Sequence, residues 1–411
     1  MISLLRNRLK FVRNNKDYNI LLTSQGLSVF GDSLETIALL YLVFEITGST
    51  IAMGMVMFFN LLPNLILSPF SGVLADMYSR KKIMILSESM RGLIVLYIPV
   101  ALYYNFLTIN HIYLVSFLVS IFETFFSSAN TATLPNILDK KYIEEGYSII
   151  SSSMTLMKLI GYMFGGIIIQ GLGYISVYIF DSITFFISGF AISRLVLNQC
   201  ISKENNIRSF FINLQRGLSY IKTKRIFHVI VFVAIIVNFI ITPINIIITY
   251  SVESIFKLSK THTSLGFVAI LLGSLIGSAL YPSFSSKISK KRIIIFSIGC
   301  IGLGFTLGGL ILNYYVLILG FFIVSIFAGL ASVGLSLLFV ETVDDEYRCR
   351  AGSVLNVLVL VAAPLSGSLI GIFLDYFGLE LILKTGGALI VSCIFLLTYL
   401  WTDSHSCNQV K

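Results

Sequence analysis

The sequence predicts an all-α membrane protein of twelve transmembrane helices in two six-helix bundles. Three observations predict it. Of 411 residues, 56% are hydrophobic and only 12% are Asp, Glu, Lys or Arg, well below the roughly 25% charged fraction of a soluble domain. The chain also resolves into twelve mostly apolar stretches, each about 20 residues long, the length that crosses a bilayer. One long polar interruption, Gln199 to Arg225, divides those stretches six and six. Disorder needs low hydrophobicity and high charge, and the mean hydropathy of +0.90 excludes it.

The first span, 18–44, follows a basic segment, Met1 to Asp17, that carries Arg6, Arg8, Lys10, Arg13 and Lys16. A signal peptide would show a short apolar core and a small-residue cleavage site. The run instead continues for about 26 residues, so it reads as a retained helix. The remaining spans are 50–73, 83–105, 111–136, 148–171 and 175–197, then 226–250, 263–285, 292–312, 314–339, 352–375 and 379–401. The expected organisation is a bundle over 1–198, a cytoplasmic linker over 199–225 and a second bundle over 226–411. Two six-helix halves are the layout of a carrier that rocks about a midplane site.

Lys and Arg collect on the cytoplasmic side of membrane proteins. Of the 29 such residues, 24 fall in the two termini, the linker and alternate loops; Lys257, Lys260 and Lys384 fall on the other side, and Arg91 and Lys158 fall within spans. Both termini are therefore expected in the cytoplasm of a cell that holds this chain in its cytoplasmic membrane. The net charge of +9 follows the loops rather than forming the clustered basic face that nucleic acid needs. Five scattered cysteines without a C-x-x-C pair, and four histidines without ligand spacing, give neither a disulfide framework nor a metal site.

The most specific motif is Gly72-Val-Leu-Ala-Asp76-Met-Tyr-Ser79-Arg80-Lys81-Lys82, which ends span 2 and opens the loop before span 3. An acid here favours the positive end of a helix dipole, and a ring of opposite charges can break when a carrier opens. The motif resembles the G-x-L-A-D-x-x-x-R-K signature of the major facilitator superfamily. The resemblance implies a conformational latch of Gly72, Asp76, Arg80 and Lys81, with Gly72 letting helix 2 approach helix 11. Ser79 stands where family members often carry Gly. The equivalent loop of the second half, Ser283 to Arg292, keeps basic residues but has no Asp.

Further segments are similar to the drug:proton antiporter branch that includes macrolide-efflux proteins and siderophore exporters: Gly31-Asp32-Ser-Leu-Glu35, Leu62-Pro63, Ser68-Pro69, Leu134-Pro135 and Thr242-Pro243-Ile244-Asn245. In that fold helices 1, 4, 7 and 10 line a central cavity while 3, 6, 9 and 12 buttress it. The resemblance covers nearly the whole chain. One departure is the lack, in span 4, of the Arg that family members often use in proton transfer.

An ionisable residue inside a span is costly and points to function. Asp32 lies roughly 21 Å along span 1 at 1.5 Å per residue, with Glu35 one turn further on the same face. The two acids are suited to carry a coupling proton. Glu123 in span 4 and Lys158 in span 5 complete the proton-coupling candidates, with Glu123 expected to pair with Lys158 or with Arg91. The fold resemblance makes Arg91 and Asp181 scaffold residues. In the second half, Asn238, Asn245 and Tyr250 are substrate-cavity candidates among many Phe and Ile side chains.

Glycines four residues apart, Gly161 and Gly165 in span 5 and Gly273 and Gly277 in span 8, suit close helix packing, and Pro364 with Gly367 and Gly371 suggests a hinge in span 11. No G-x-x-x-x-G-K-[ST] loop occurs, so an enzyme that hydrolyses ATP is not expected. The expected function is export of an amphiphilic or hydrophobic compound, such as a macrolide-like drug, as a secondary carrier without a cofactor and driven by the proton gradient. Its partners are a small-molecule substrate and the lipid bilayer, with no nucleic acid, and the carrier is a monomer. A siderophore or peptide-metabolite exporter, or a carrier-shaped sensor, are the other readings.

Overall fold

The structure is a computed structural model that describes residues 15–139, 142–197, 219, 225–343 and 348–406. The described residues form helices and short connections. Helix α1 spans Lys16–Thr47, α2 Thr50–Met77, α3 Arg80–Val95, α4 Tyr97–Tyr103, α5 Ile109–Ile137 and α6 Ile143–Ser193. Then come α7 Arg225–Ile241, α8 Ile244–Tyr250, α9 Lys260–Ser285, α10 Lys290–Leu310, α11 Tyr314–Thr342 and α12 Arg348–Ser406.

Their ends follow the sequence chemistry. Asn15 caps α1 by accepting the Tyr18 N–H at 3.0 Å, and Gly48 closes it in the left-handed region at φ 63°. Ser79 caps α3 at the Lys82 N–H, a use for the serine that replaces the usual glycine of the motif. Pro243, which has no N–H to donate, separates α7 from α8.

Among the described residues ten helices are long and apolar enough to cross a membrane. Two of these are too long for one crossing. Helix α6 has 51 residues, about 76 Å at 1.5 Å per residue, against a hydrocarbon core of about 30 Å. It breaks at Gly173, with φ 77° and ψ 177°. Helix α12 breaks in the same way at Gly378, with φ 75° and ψ 171°. Both fall in the gaps that the sequence leaves between spans 5 and 6 and between spans 11 and 12, so each of these two helices divides into two stretches of span length. Pro364 lies inside α12, and the interruption of helical φ and ψ lies at Gly378.

The chain divides into two compact units, Met1–Gly48 with Phe59–Ser209, and Ser49–Phe58 with Phe210–Lys411. Most of the expected linker, 199–225, lies outside the described residues. In the first unit α1 packs along α6, and α3 packs on both α5 and α6. A Cβ at Gly161 would meet the Phe30 carbonyl at 2.8 Å, and one at Gly165 would meet Ile37 Cδ1 at 2.8 Å. The glycine spacing of span 5 is therefore a close contact with α1. Gly273 does the same for α9 against α11, where a Cβ would lie 2.9 Å from Ser325 Cβ.

In the second unit Ser49–Phe58 lies against α12. A Cβ at Gly367 would stand 2.8 Å from the Met57 sulfur, and Gly54 has Ser368 Cα at 2.9 Å from its would-be Cβ. Asp375 caps this segment. Its carboxylate accepts from the Thr50 N–H at 3.1 Å, the Ile51 N–H at 3.3 Å, Ser49 Oγ at 2.8 Å and Thr50 Oγ1 at 2.6 Å. Four donors on one acid at a helix start make a strong cap even at an exposed site. Asp375→Ala should lower stability by about 1–2 kcal/mol, the usual cost of a lost N-cap. A thermal melt of the purified protein checks this, with Asp375→Asn expected to lie between the two.

Candidate functional site

The site grows out of helix spacing in the first unit. Asp32 and Glu35 share a face of α1, Glu88 and Arg91 share a face of α3, and Glu123 stands on α5. Lys158 and Asp181 belong to the two segments of α6 on either side of Gly173. Gly31 allows them to meet, since a side chain there would collide with the Asp181 carboxylate and with Thr184 Oγ1.

Arg91 is the hub. It is 3% exposed, donates from Nη2 to Asp32 Oδ1 at 2.8 Å and from Nη1 to Glu88 Oε1 at 3.3 Å, and lies 4.1 Å from the Phe185 ring centroid. Glu88 and Asp181 are fully buried. Neither Asp181 oxygen has a hydrogen-bond partner, and neither has Glu88 Oε2 or Arg91 Nε. One carboxylate oxygen from each of Asp32, Glu35 and Asp181 lies within 4.8 Å of the others. The Arg91 guanidinium already touching Asp32 opposes a metal cation at the same carboxylate.

Beside this cluster is a cavity of about 480 Å³, lined by Asp32, Glu35, Arg91, Glu123 and Lys158 along with Asn60, Thr155 and the apolar Val29, Val119 and Met154. The structure thus brings all four proton-coupling candidates to one cavity. Glu123 is attracted by both of its expected partners, Arg91 and Lys158, while the salt-bridge contacts of the Arg91 guanidinium go to Asp32 and Glu88. Lys158 Nζ sits 5.6 Å from the Tyr162 ring centroid. Arg91 and Asp181, expected as scaffold, stand inside the charge cluster. Glu88 is absent from the sequence reading, although its place one turn before Arg91 within a span was a usable signal.

Of the latch residues, Arg80 bonds Asp76 Oδ1 at 3.1 Å, and its other nitrogens reach the carbonyls of Ala75, at 3.2 Å, and Ala132. Lys81 Nζ donates to the Leu195 carbonyl at 2.7 Å. These two bases tie the motif to the last turn of α5 and to the segment after α6. A Cβ at Gly72 would meet nothing within 4 Å.

In the second unit a cavity of about 690 Å³ opens between α7 and α12, lined by apolar side chains such as Phe232, Phe239, Ile370, Phe373 and Phe377. Asn238, Asn245 and Tyr250 are not among its lining residues. Asn238 turns back on its own helix, donating to the Ala234 carbonyl at 2.8 Å.

Similarity to known proteins agrees with this architecture. The chain is 25% identical over 395 residues to the MFS-type transporter YfiS of Bacillus subtilis, covering 92% of both chains. It is 23% identical over 382 residues to macrolide efflux protein A of Streptococcus pyogenes, covering 90% of this chain and 92% of the relative. Among solved structures, the nucleoside transporter NupG superposes with a TM-score of 0.76 at 13% identity, over 94% of this chain and 99% of that one. A bacterial homologue of the iron transporter ferroportin, in an inward-facing state, gives a TM-score of 0.73 at 13% identity, over 93% and 98%. At such identities the structural likeness carries the fold alone. A family profile, described as transmembrane secretion effector, matches residues 13–401. The chain belongs to the transmembrane secretion effector family of membrane transporters within the major facilitator superfamily.

Proposed function

We propose that this transporter exports an amphiphilic compound in exchange for protons, with Asp32 and Glu35 as the proton-carrying pair and Asp181 beside them. The observation that carries the reading is the grouping of three carboxylates within 4.8 Å around one arginine contact, Asp32 to Arg91. Charge-assisted bonds are about twice as strong as neutral ones. A proton arriving on Asp32 therefore weakens its hold on Arg91, which links protonation to the packing of α3 against α1 and α6. Only a difference in proton affinity between two states of a carrier can drive an uphill exchange. The similarity to macrolide efflux protein A supports an amphiphilic substrate, as does the apolar cavity of the second unit. A pH jump across proteoliposome membranes tests the reading: macrolide efflux should follow the imposed gradient, and efflux indifferent to the gradient would overturn proton coupling.

The proposed setting is the cytoplasmic membrane, with both termini and the 199–225 linker in the cytoplasm, because basic residues crowd that side. A cysteine replacing Asn110, just inside the start of α5, should react with an impermeant thiol reagent in intact cells, while one replacing Asn205 should stay protected. Labelling at Asn205 alone would reverse the orientation.

A further inference from the structure

We propose that Glu123 and Lys158 are the two ends of a recognition site for a zwitterionic head group, so that the exported amphiphile carries both a protonated amine and a carboxylate. The proposal rests on the reading of this cavity as a transport site and names its substrate class. Five acids crowd this region, Asp32, Glu35, Glu88, Glu123 and Asp181, against the bases Arg91 and Lys158. Arg91 makes its salt-bridge contacts with Asp32 and Glu88. Glu123 and Lys158 line the same cavity from different helices, α5 and α6; they attract each other electrostatically but are not in salt-bridge contact. Charges inside a span are expensive unless compensated, and an acid and a base lining one cavity match a ligand that carries both an ammonium and a carboxylate.

The rest of the cavity fits that ligand. The Tyr162 ring holds the Lys158 ammonium from one side, which limits its wandering toward other acids. Asn60 and Thr155 offer neutral hydrogen-bonding groups, while Val29, Val119 and Met154 offer apolar contact for the body of the molecule. A volume of about 480 Å³ lies inside the range of small-molecule pockets, about 300–1,000 Å³. A zwitterion also brings no net charge, so its arrival leaves the balance at Asp32, Glu35 and Asp181 unchanged. Substrate recognition and proton carriage are thereby divided between two neighbouring groups of residues.

The test uses the full-length protein in lipid nanodiscs, without a gradient, and three probes with the same side chains: the dipeptide phenylalanyl-leucine, its C-terminal amide and its N-acetyl form. The dipeptide should bind about tenfold tighter than either single-charge analogue, the factor expected from one charge-assisted hydrogen bond. Lys158→Met should bring the dipeptide down to the affinity of the amide, and Glu123→Gln should bring it down to that of the acetylated form. Lys158→Arg, which keeps the charge, should retain the preference, and its melting profile guards against reading misfolding as lost recognition. Equal binding of the three probes, no binding of any of them to folded protein, or a preference that survives Lys158→Met would each overturn the proposal. Proton-driven flux of the three probes in proteoliposomes, measured in parallel, separates the two readings: proton-driven flux with no probe discrimination removes the zwitterion alone, and discrimination without proton-driven flux removes the coupling alone.

Discussion

Asp32→Asn combined with Glu35→Gln is expected to abolish pH-driven transport while leaving downhill substrate exchange in place. The amides keep the size and much of the hydrogen-bonding capacity of the acids but cannot release a proton. The amide at position 32 would hold Arg91 only through a neutral bond, as a protonated aspartate does, so the variant should rest in one of the two states of the cycle. Counterflow in proteoliposomes without a pH difference needs only substrate-driven switching and should persist. The gradient-driven component should fall to the level of empty liposomes. Asp32→Asn alone should give nearly the full loss, because Asp32 is the member of the pair in contact with Arg91. Full gradient-driven transport by the double variant would place the coupling group elsewhere.

The second large effect is on folding. Arg91→Met removes the group that holds Asp32 and the fully buried Glu88 together, leaving a buried carboxylate without its cation. Breaking one side of a buried pair costs about 3–5 kcal/mol, a large share of the roughly 5–15 kcal/mol typical of a folded domain. Low membrane yield and a much reduced melting temperature are expected. Adding Glu88→Gln should recover a good part of the loss, since no lone charge then remains at that position, whereas neutralising Asp32, which is partly exposed to the cavity, should give less recovery. Contacting residues of this kind show interaction energies of about 0.5–3 kcal/mol. Losses that simply add would show that Arg91 and Glu88 act independently.

The apolar helices were legible because apolar length and glycine punctuation are local properties of the chain. Gly173 and Gly378 fall in the gaps between expected spans, and Asp32, Glu35, Glu123 and Lys158 stood out one by one as charges in apolar surroundings. Their partners were not legible. Sequence spacing says which residues share a helix face, yet which faces meet depends on small residues such as Gly31, whose contact with Asp181 and Thr184 is tertiary. Hence Arg91 reads from the sequence as a buttress, whereas packing turns it onto Asp32. Asp375 was missed for a related reason. At the end of a span it looks like an ordinary boundary acid, and only the arrival of Ser49–Ile51 gives it four donors.

The breaks at Gly173 and Gly378 have nearly the same dihedral angles and stand at the same place in each half, between the fifth and sixth passes of six. Their φ and ψ belong to a region that side chains other than glycine's essentially do not enter. Matching solutions at matching positions are what an ancient duplication of one six-pass unit would leave behind, and internal repeats are common in such carriers. With no loop between the joined passes, neither hairpin offers room for an inserted epitope or a protease cut. Tags and cleavage sites placed at 172–174 or 377–379 should fail in both halves alike.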